Sequence, residues 1–182
     1  SGAIAVGRNK LNMTSKPDSM RMKQAAAAVG QCSLMYLYDK FFGDYDKTVA
    51  QILLNAEDIE QEEKKENLIN TFNALLEMGV IPIVNENDSV SYKEIESEDR
   101  LFGDNDMLSA VVAVLCRARH LVILSDIDGF YDHDPRLYPN AKLIEQIDTI
   151  DDSVYALAGG AGSRRGTGGM RTKLQAAALA TS

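Results

Sequence analysis

Thr48-Val49-Ala50-Gln51-Ile52-Leu53-Leu54 and Val80-Ile81-Pro82-Ile83-Val84 decide the fold class. Both are short runs rich in β-branched and aliphatic residues, which read as strands. The stretch between them has a helical period, with Leu68, Phe72, Leu75 and Leu76 on one face and a stop near Gly79. Asn55 is placed to cap that helix, and Glu57 and Asp58 suit its positive end. The charged run Glu60 to Glu66 is a solvated face. Pro82 lacks an N–H, so it belongs at the start of its strand or at an irregular ladder.

The same alternation extends in both directions. Residues 19–42 form a long helix, with Ala25 to Ala28 favouring it, Leu34, Leu37, Phe41 and Phe42 at helical spacing, and Gly43 as its stop. After Val84 comes a long polar stretch, Asn85 to Asp106, of a length that is often functional. Met107 to Leu115 is a helix of small and apolar residues. His120-Leu121-Val122-Ile123-Leu124 reads as a buried parallel strand, with Ser125-Asp126 at its carboxyl end. Ile144 to Ile147 is a further short strand, Asp151 opens a helix, and a glycine-rich segment leads into a last helix. Strands alternating with helices of ten or more residues make the class α/β with a mainly parallel sheet.

Composition narrows the function. The chain has 182 residues, 45% hydrophobic and 25% charged, which excludes disordered and collagen-like chains. Nineteen basic against 27 acidic residues give a net charge of −8, a poor match for nucleic acid or an anionic membrane. No apolar run reaches the roughly 18 residues that span a bilayer. Cys32 and Cys116 sit in apolar helical patterns and read as buried thiols of a reducing compartment. The only histidines, His120 and His133, make no cluster at zinc-ligand spacing. The chain opens without an initiator Met and closes within a helical pattern, so a fragment lacking both termini is expected, with no domain boundary inside it.

Three segments could carry chemistry. Gly159 to Lys173 holds six glycines and runs into a helix, so backbone amides and a lysine one turn in could meet phosphate oxygens. Its spacing fits neither the P-loop nor a dinucleotide fingerprint, and a plain surface loop is the alternative. Asn85-Glu86-Asn87-Asp88 follows a strand, where ligands of open α/β sheets bind, although Asn and Asp also build turns. Gly103-Asp104-Asn105-Asp106 precedes a helix; any of its Asx residues could cap it, or Asn105 and Asp106 could face a site. A carboxylate at Asp106 could hold two lysines near a phosphoryl group without mutual repulsion.

Together these residues resemble the glutamate 5-kinase branch of the amino acid kinase family. The resemblance runs the length of the chain, through Ser1 to Ala5, Ala28 to Gln31, Gln51 to Leu54, Ile81 to Asp88, Gly103 to Asp106, Leu124 to Tyr131 and Gly166 to Lys173. It implies a three-layer α/β/α sandwich with a mainly parallel central sheet, and transfer of the ATP γ-phosphoryl group to the γ-carboxylate of L-glutamate, the first step of proline synthesis. By resemblance, Ser1, Asp88 and Asn105 bind glutamate. Ser125, Asp126 and the segment Thr167, Gly168, Gly169, Met170, Arg171, Thr172 and Lys173 bind ATP with Mg²⁺. Lys173 stabilises the transferring group and Asp106 organises the lysines. No metal-ligating protein residue is implied, because Mg²⁺ rides mainly on the nucleotide.

The resemblance also implies a first strand with a phosphate loop and a second lysine upstream of Ser1, and a further strand after Ser182. Proline as feedback inhibitor, acting through the loop between Asp88 and Asp104, a homo-oligomer (dimer or tetramer) and a cytoplasmic location complete the expectation. Two other readings stay open. One is an acetylglutamate or aspartate kinase, against which the Asn85 to Asp88 and Gly103 to Asp106 motifs speak. The other is a non-catalytic sensing module of the same fold.

Overall fold

The computed structural model describes residues 2–90, 104–158 and 169–182. The chain forms two compact units, residues 1–100 and 101–182.

In the first unit, α1 (Ala3–Lys10) packs on α2 (Met20–Gly43). Their crossing is set by two glycines. A Cβ on Gly7 would lie 1.7 Å from the Ala26 carbonyl oxygen, and one on Gly30 would lie 1.7 Å from that of Ala3. Ala3, Ala26 and Ala27 are buried around the crossing, so backbone meets backbone with almost no side chain between. At the end of α1, Lys10 Nζ donates to Ser33 Oγ in the middle of α2 at 3.1 Å.

The strand–helix–strand unit is as the sequence predicts. β1 (Val49–Leu54) pairs in parallel with β2 (Ile81–Glu86), Val49 opposite Ile81 through Leu54 opposite Glu86. One face of β1 is buried at Ile52 and Leu54, and Phe72 is buried on the connecting helix. Pro82 takes the second position of β2 in a regular ladder, opposite Ala50. The N–H groups of Ile81 and Asn87 donate to Thr48 and Leu54 carbonyls, so odd-numbered residues face β1 and the missing donor of Pro82 faces away.

The single helix expected after Asn55 is two, α3 (Glu57–Glu60) and α4 (Glu62–Glu77), with extended backbone at Gln61 between them. Five acids crowd residues 57–63. One continuous helix would stack them at i, i+3 and i, i+4, whereas the break gives both sets a positive helix end. Lys64 bridges back to Glu57 and Asp58 at 4.0 and 3.8 Å. Asn55 sits one residue before the N-cap, and its backbone N–H donates to Asp58 Oδ2 at 2.8 Å.

The second unit contains α5 (Asn105–Leu115), the antiparallel pair β3 (Phe130–Tyr131) and β4 (Leu143–Ile144), α6 (Asp152–Leu157) and α7 (Met170–Ala180). α5 packs on α7 through Leu108, Ala110 and Val111 on one side and Leu174 and Ala176 on the other. Asp151 caps α6, accepting from the Ser153 and Val154 amides.

Two further expectations are corrected. Residues 120–124 are not a buried strand: they lack strand pairing, and Val122 and Leu124 are 76% and 92% exposed. An apolar run becomes a strand only when a neighbour supplies the other half of its ladder, and no described residue does so here. Cys32 is exposed rather than buried, while Cys116 is half-buried. Among the described residues, no helix is long and apolar enough to cross a membrane.

Gly7→Ala and Gly30→Ala should each destabilise the first unit by about 3 kcal/mol, read as a lower urea midpoint, because rigid backbone on both sides leaves no room for a methyl group. Gly43→Ala, at a position with open space, is the control and should leave the midpoint nearly unchanged.

Candidate active site

The first turns of α5 and α7 meet in the second unit. Asp104 has extended backbone and caps α5, its Oδ1 accepting from the Met107 amide at 3.0 Å. Its Oδ2 is buried and has no partner among the described residues. Asn105 begins the helix and is exposed. Asp106 turns inward, and its Oδ2 accepts from Lys173 Nζ at 2.7 Å. The sequence left open which Asx residue caps; the structure gives the cap to Asp104 and pairs Asp106 with Lys173.

The pair is largely shielded, with the Lys173 and Asp106 side chains 24% and 16% exposed. Its placement has an electrostatic cost. Lys173 is the fourth residue of α7, where the helix dipole disfavours a cation. Asp106 offsets that repulsion, and its own position in the first turn of α5 is favoured by the dipole. The contact brings together two helix N-termini and one ammonium group, an arrangement suited to phosphoryl oxygens.

Met170, one turn before Lys173 on α7, lines a cavity of about 690 Å³ together with Phe130, Tyr131, His133, Tyr138 and Leu157. His133 lies 5.3 Å from the Tyr138 ring and 3.3 Å from Asp132 Oδ1. Arg136 holds Asp134 through two bonds of 3.0 and 3.1 Å. That guanidinium keeps the Asp134 carboxyl below its ordinary range. Sequence reasoning did not assign this cavity a role. Its signal was the aromatic content of residues 130–138, which carries no motif of its own.

The other residues predicted to bind nucleotide are more dispersed. Ser125 and Asp126 are exposed, with Ser125 Oγ donating to Asp126 Oδ1 at 3.5 Å. Arg171 lies 5.7 Å above the Tyr155 ring. Thr172 Oγ1 donates to the Gly169 carbonyl at 2.8 Å, closing the first turn of α7. Ser1, Thr167 and Gly168 lie outside the described residues, as do most of the glycine-rich segment and most of the loop between Asp88 and Asp104.

In the first unit, Asp88 follows the end of β2. Asn87 is the turn former: its Oδ1 accepts from Ser89 Oγ at 2.7 Å and its carbonyl accepts from the Val90 amide. Asp88 instead lines a cleft of about 510 Å³ between α2 and the ends of β1 and β2. Burial raises its carboxyl above the ordinary value of 3.8. Such a group binds its proton more tightly in the native state. Its favourable contribution to stability is therefore present at low pH and is lost as pH rises through the raised value.

A family model described as "Amino acid kinase family" matches residues 1–182. The chain is 56% identical over 182 residues to a protein of Clostridium perfringens named glutamate 5-kinase, covering all of this chain and 67% of that one. It is 50% identical over 179 residues to a Caldanaerobacter subterraneus protein of the same name, covering 98% of this chain and 47% of the relative. A third relative of that name, from Clostridium acetobutylicum, is 51% identical over 181 residues, covering 100% of this chain and 66% of its own length. The chain thus spans between about half and two thirds of the length of these curated relatives.

Asp88→Asn removes an ionisation that burial opposes. It should raise the urea midpoint at pH 7, and the gain should shrink as the pH falls through the raised Asp88 value. A gain that is equal at pH 7 and at pH 4 would refute this account.

Proposed function

The chain belongs to the amino acid kinase family, and from that premise we propose that it carries the catalytic centre of a glutamate 5-kinase, transferring the ATP γ-phosphoryl group to the side-chain carboxylate of L-glutamate. The observation that carries this reading is the 2.7 Å contact between Lys173 and Asp106 at two converging helix N-termini. The relatives bearing that name, matched along essentially all of this chain, support the choice of substrate.

The reaction needs no general base. A glutamate carboxylate oxygen is already ionised at neutral pH and attacks the γ-phosphorus directly. The new O–P bond forms as the bond to the β-phosphate oxygen breaks, ADP leaves with that electron pair, and no proton moves. Catalysis is then in-line positioning and neutralisation of charge on the equatorial oxygens. In this reading Lys173 supplies the cation, and Asp106 holds its Nζ in place. The amides of the first turn of α7 receive phosphate oxygens. The aromatic cavity that Met170 shares with Tyr131 and Tyr138 has the size and lining to take the nucleoside. Mg²⁺ enters on the nucleotide phosphates and neutralises part of their charge. Asp88 meets the substrate ammonium group, and Asn105 and Ser1 complete glutamate binding. Proline as feedback inhibitor, assembly into a homo-oligomer and a cytoplasmic location belong to the same proposal.

The test is glutamate-dependent ADP release by the intact gene product with MgATP, with hydroxylamine present to trap an acyl phosphate. Hydroxamate should form with L-glutamate and not with aspartate or N-acetylglutamate. Lys173→Met should lower kcat by about 10²-fold or more with little change in glutamate KM, the signature of an interaction made mainly in the transition state. Asp106→Asn should lower kcat less. Hydroxamate formation with N-acetylglutamate alone, or full activity of Lys173→Met, would overturn the reading.

A further inference from the structure

Asp128-Gly129 is the one Asp-Gly pair in the chain, and the chain has no Asn-Gly pair. An aspartyl side chain can close on the amide nitrogen of the next residue, and glycine alone leaves that nitrogen without a side chain beside it. Three features of the structure leave this pair open to the reaction. Asp128 is exposed, and its side chain makes no hydrogen bond or ion pair among the described residues. The Gly129 amide donates to no acceptor among them either, because it precedes the β3–β4 ladder, which opens at Phe130 opposite Ile144. The pair sits in a bend, with no helix or strand to hold its dihedral angles. Asp152-Ser153 shows the contrast: it lies in α6, and its Ser153 amide is engaged by Asp151 Oδ1 at 2.9 Å.

The position matters because both flanks are committed. Upstream, Ile127 lines the aromatic cavity, directly after Ser125 and Asp126. Downstream, Phe130 and Tyr131 pair with Ile144 and Leu143 and line the same cavity. The hairpin is then locked twice more. The Asp132 amide donates to the Lys142 carbonyl at 3.0 Å, and the Lys142 amide donates to Asp132 Oδ1 at 2.8 Å. Gly129 itself packs closely, since a Cβ there would lie 2.7 Å from Leu143 Cδ1. An extra main-chain atom between Ile127 and Phe130 therefore cannot be absorbed without moving one of these cavity walls.

We propose that Asp128-Gly129 is a site of spontaneous isoaspartate formation, and that the product separates Ser125 and Asp126 from the aromatic cavity. The Gly129 nitrogen bonds to Asp128 Cγ, and the carboxyl's hydroxyl and the amide proton leave as water, giving a succinimide. Water then adds at the former main-chain carbonyl, its C–N bond breaks, and the chain continues through Cγ. Addition at Cγ restores aspartate instead. Water is the sole co-reactant, and neither mass nor net charge changes. The main chain is now one atom longer, and the former carbonyl is a free carboxylate. The modification stands on the chemistry of the bond itself; its effect rests on the proposed kinase activity and the nucleotide role given to this segment.

The experiment stores the intact gene product at neutral pH and growth temperature for several weeks. Isoaspartate is read as methyl groups accepted from S-adenosylmethionine in the presence of an isoaspartyl methyltransferase, and its position by peptide mapping. Methyl acceptance should rise with time and map to the peptide that holds Asp128. Asp128→Glu should abolish that signal, because its carboxyl would have to close a larger ring. Asp128→Asn should raise it severalfold, with ammonia leaving in place of water. Hydroxamate formation from glutamate should fall in proportion to the isoaspartate fraction, while stored Asp128→Glu keeps its initial rate. Methyltransferase treatment, which returns the linkage to the succinimide, should restore part of the lost activity.

Methyl acceptance that is absent from this peptide, or undiminished in Asp128→Glu, overturns the modification site. Isoaspartate at Asp128 with undiminished activity overturns its effect. Fresh protein that forms no hydroxamate refutes the kinase reading, and the effect with it, while methyl acceptance still decides the site. If Asp128→Glu is inactive from the outset, restoration by the methyltransferase decides the effect.

Discussion

The ion pair between Lys173 and Asp106 is the constraint on which the second unit depends. A lysine in the first turn of a helix is in the wrong place for the helix dipole, and a largely shielded lysine there is worse placed still. Sequence reasons of stability alone would put an acid at that position. The lysine is tolerated because α5 presents a carboxylate 2.7 Å away, and it can do so only because Asp104 takes over the task of capping. Three residues in a row thus have three separate tasks. Asp104 caps the start of the helix, Asn105 faces solvent and Asp106 faces the lysine. The apolar contact of Leu108, Ala110 and Val111 with the α7 surface at Leu174 and Ala176 fixes the distance that the pair then exploits.

The first unit solves a different problem by different means. Its helices meet at Gly7 and Gly30, where carbonyl oxygens occupy the space a side chain would need. A contact of that kind gains little from burying apolar area and much from rigidity, since the backbone has no rotamers to explore. Rigidity matters here because α2 supplies one wall of the cleft and the β1–β2 pair supplies the other. A cleft whose walls come from separate elements keeps its shape only if neither wall drifts.

Much of this was legible in the sequence, and the exceptions have physical causes. The parallel pair, α2, α5 and α7 follow from periodicity and from stop signals such as Gly43 and Gly79, the latter with a φ of +72°. That Asp106 should organise the lysines was implied only by the family resemblance, because its contact with Lys173 spans 67 residues and no local pattern encodes it. Residues 120–124 mislead because hydrophobicity reports a tendency to be covered and says nothing about what does the covering. Leu124 has strand chemistry and 92% exposure together. The break at Gln61 was hidden for a related reason: like-charge crowding at Glu57 to Glu63 acts between turns, whereas a window of hydrophobic periodicity counts only the apolar positions. The aromatic cavity beside Met170 was missed because its residues come from a hairpin, a helix end and a turn, each ordinary by itself.

The two candidate sites, each taken within its own unit, divide the electrostatic work in opposite senses. The α5–α7 site gathers helix N-termini and an ammonium group, so it favours anions. The cleft at Asp88 gathers carboxylates and neutral amides, so it favours a cation and accepts an anion only through donors that carry no charge. In a chain of net charge −8, attraction of a nucleotide cannot come from the overall field and has to be local. An amino acid that arrives as a zwitterion brings no large net charge at its head group, and it needs matched partners at close range more than it needs attraction from afar. In the proposed reading, recognition of an amino acid by an acid is therefore compatible with phosphoryl transfer assisted by a lysine, because the charge that would assist one task would disable the other.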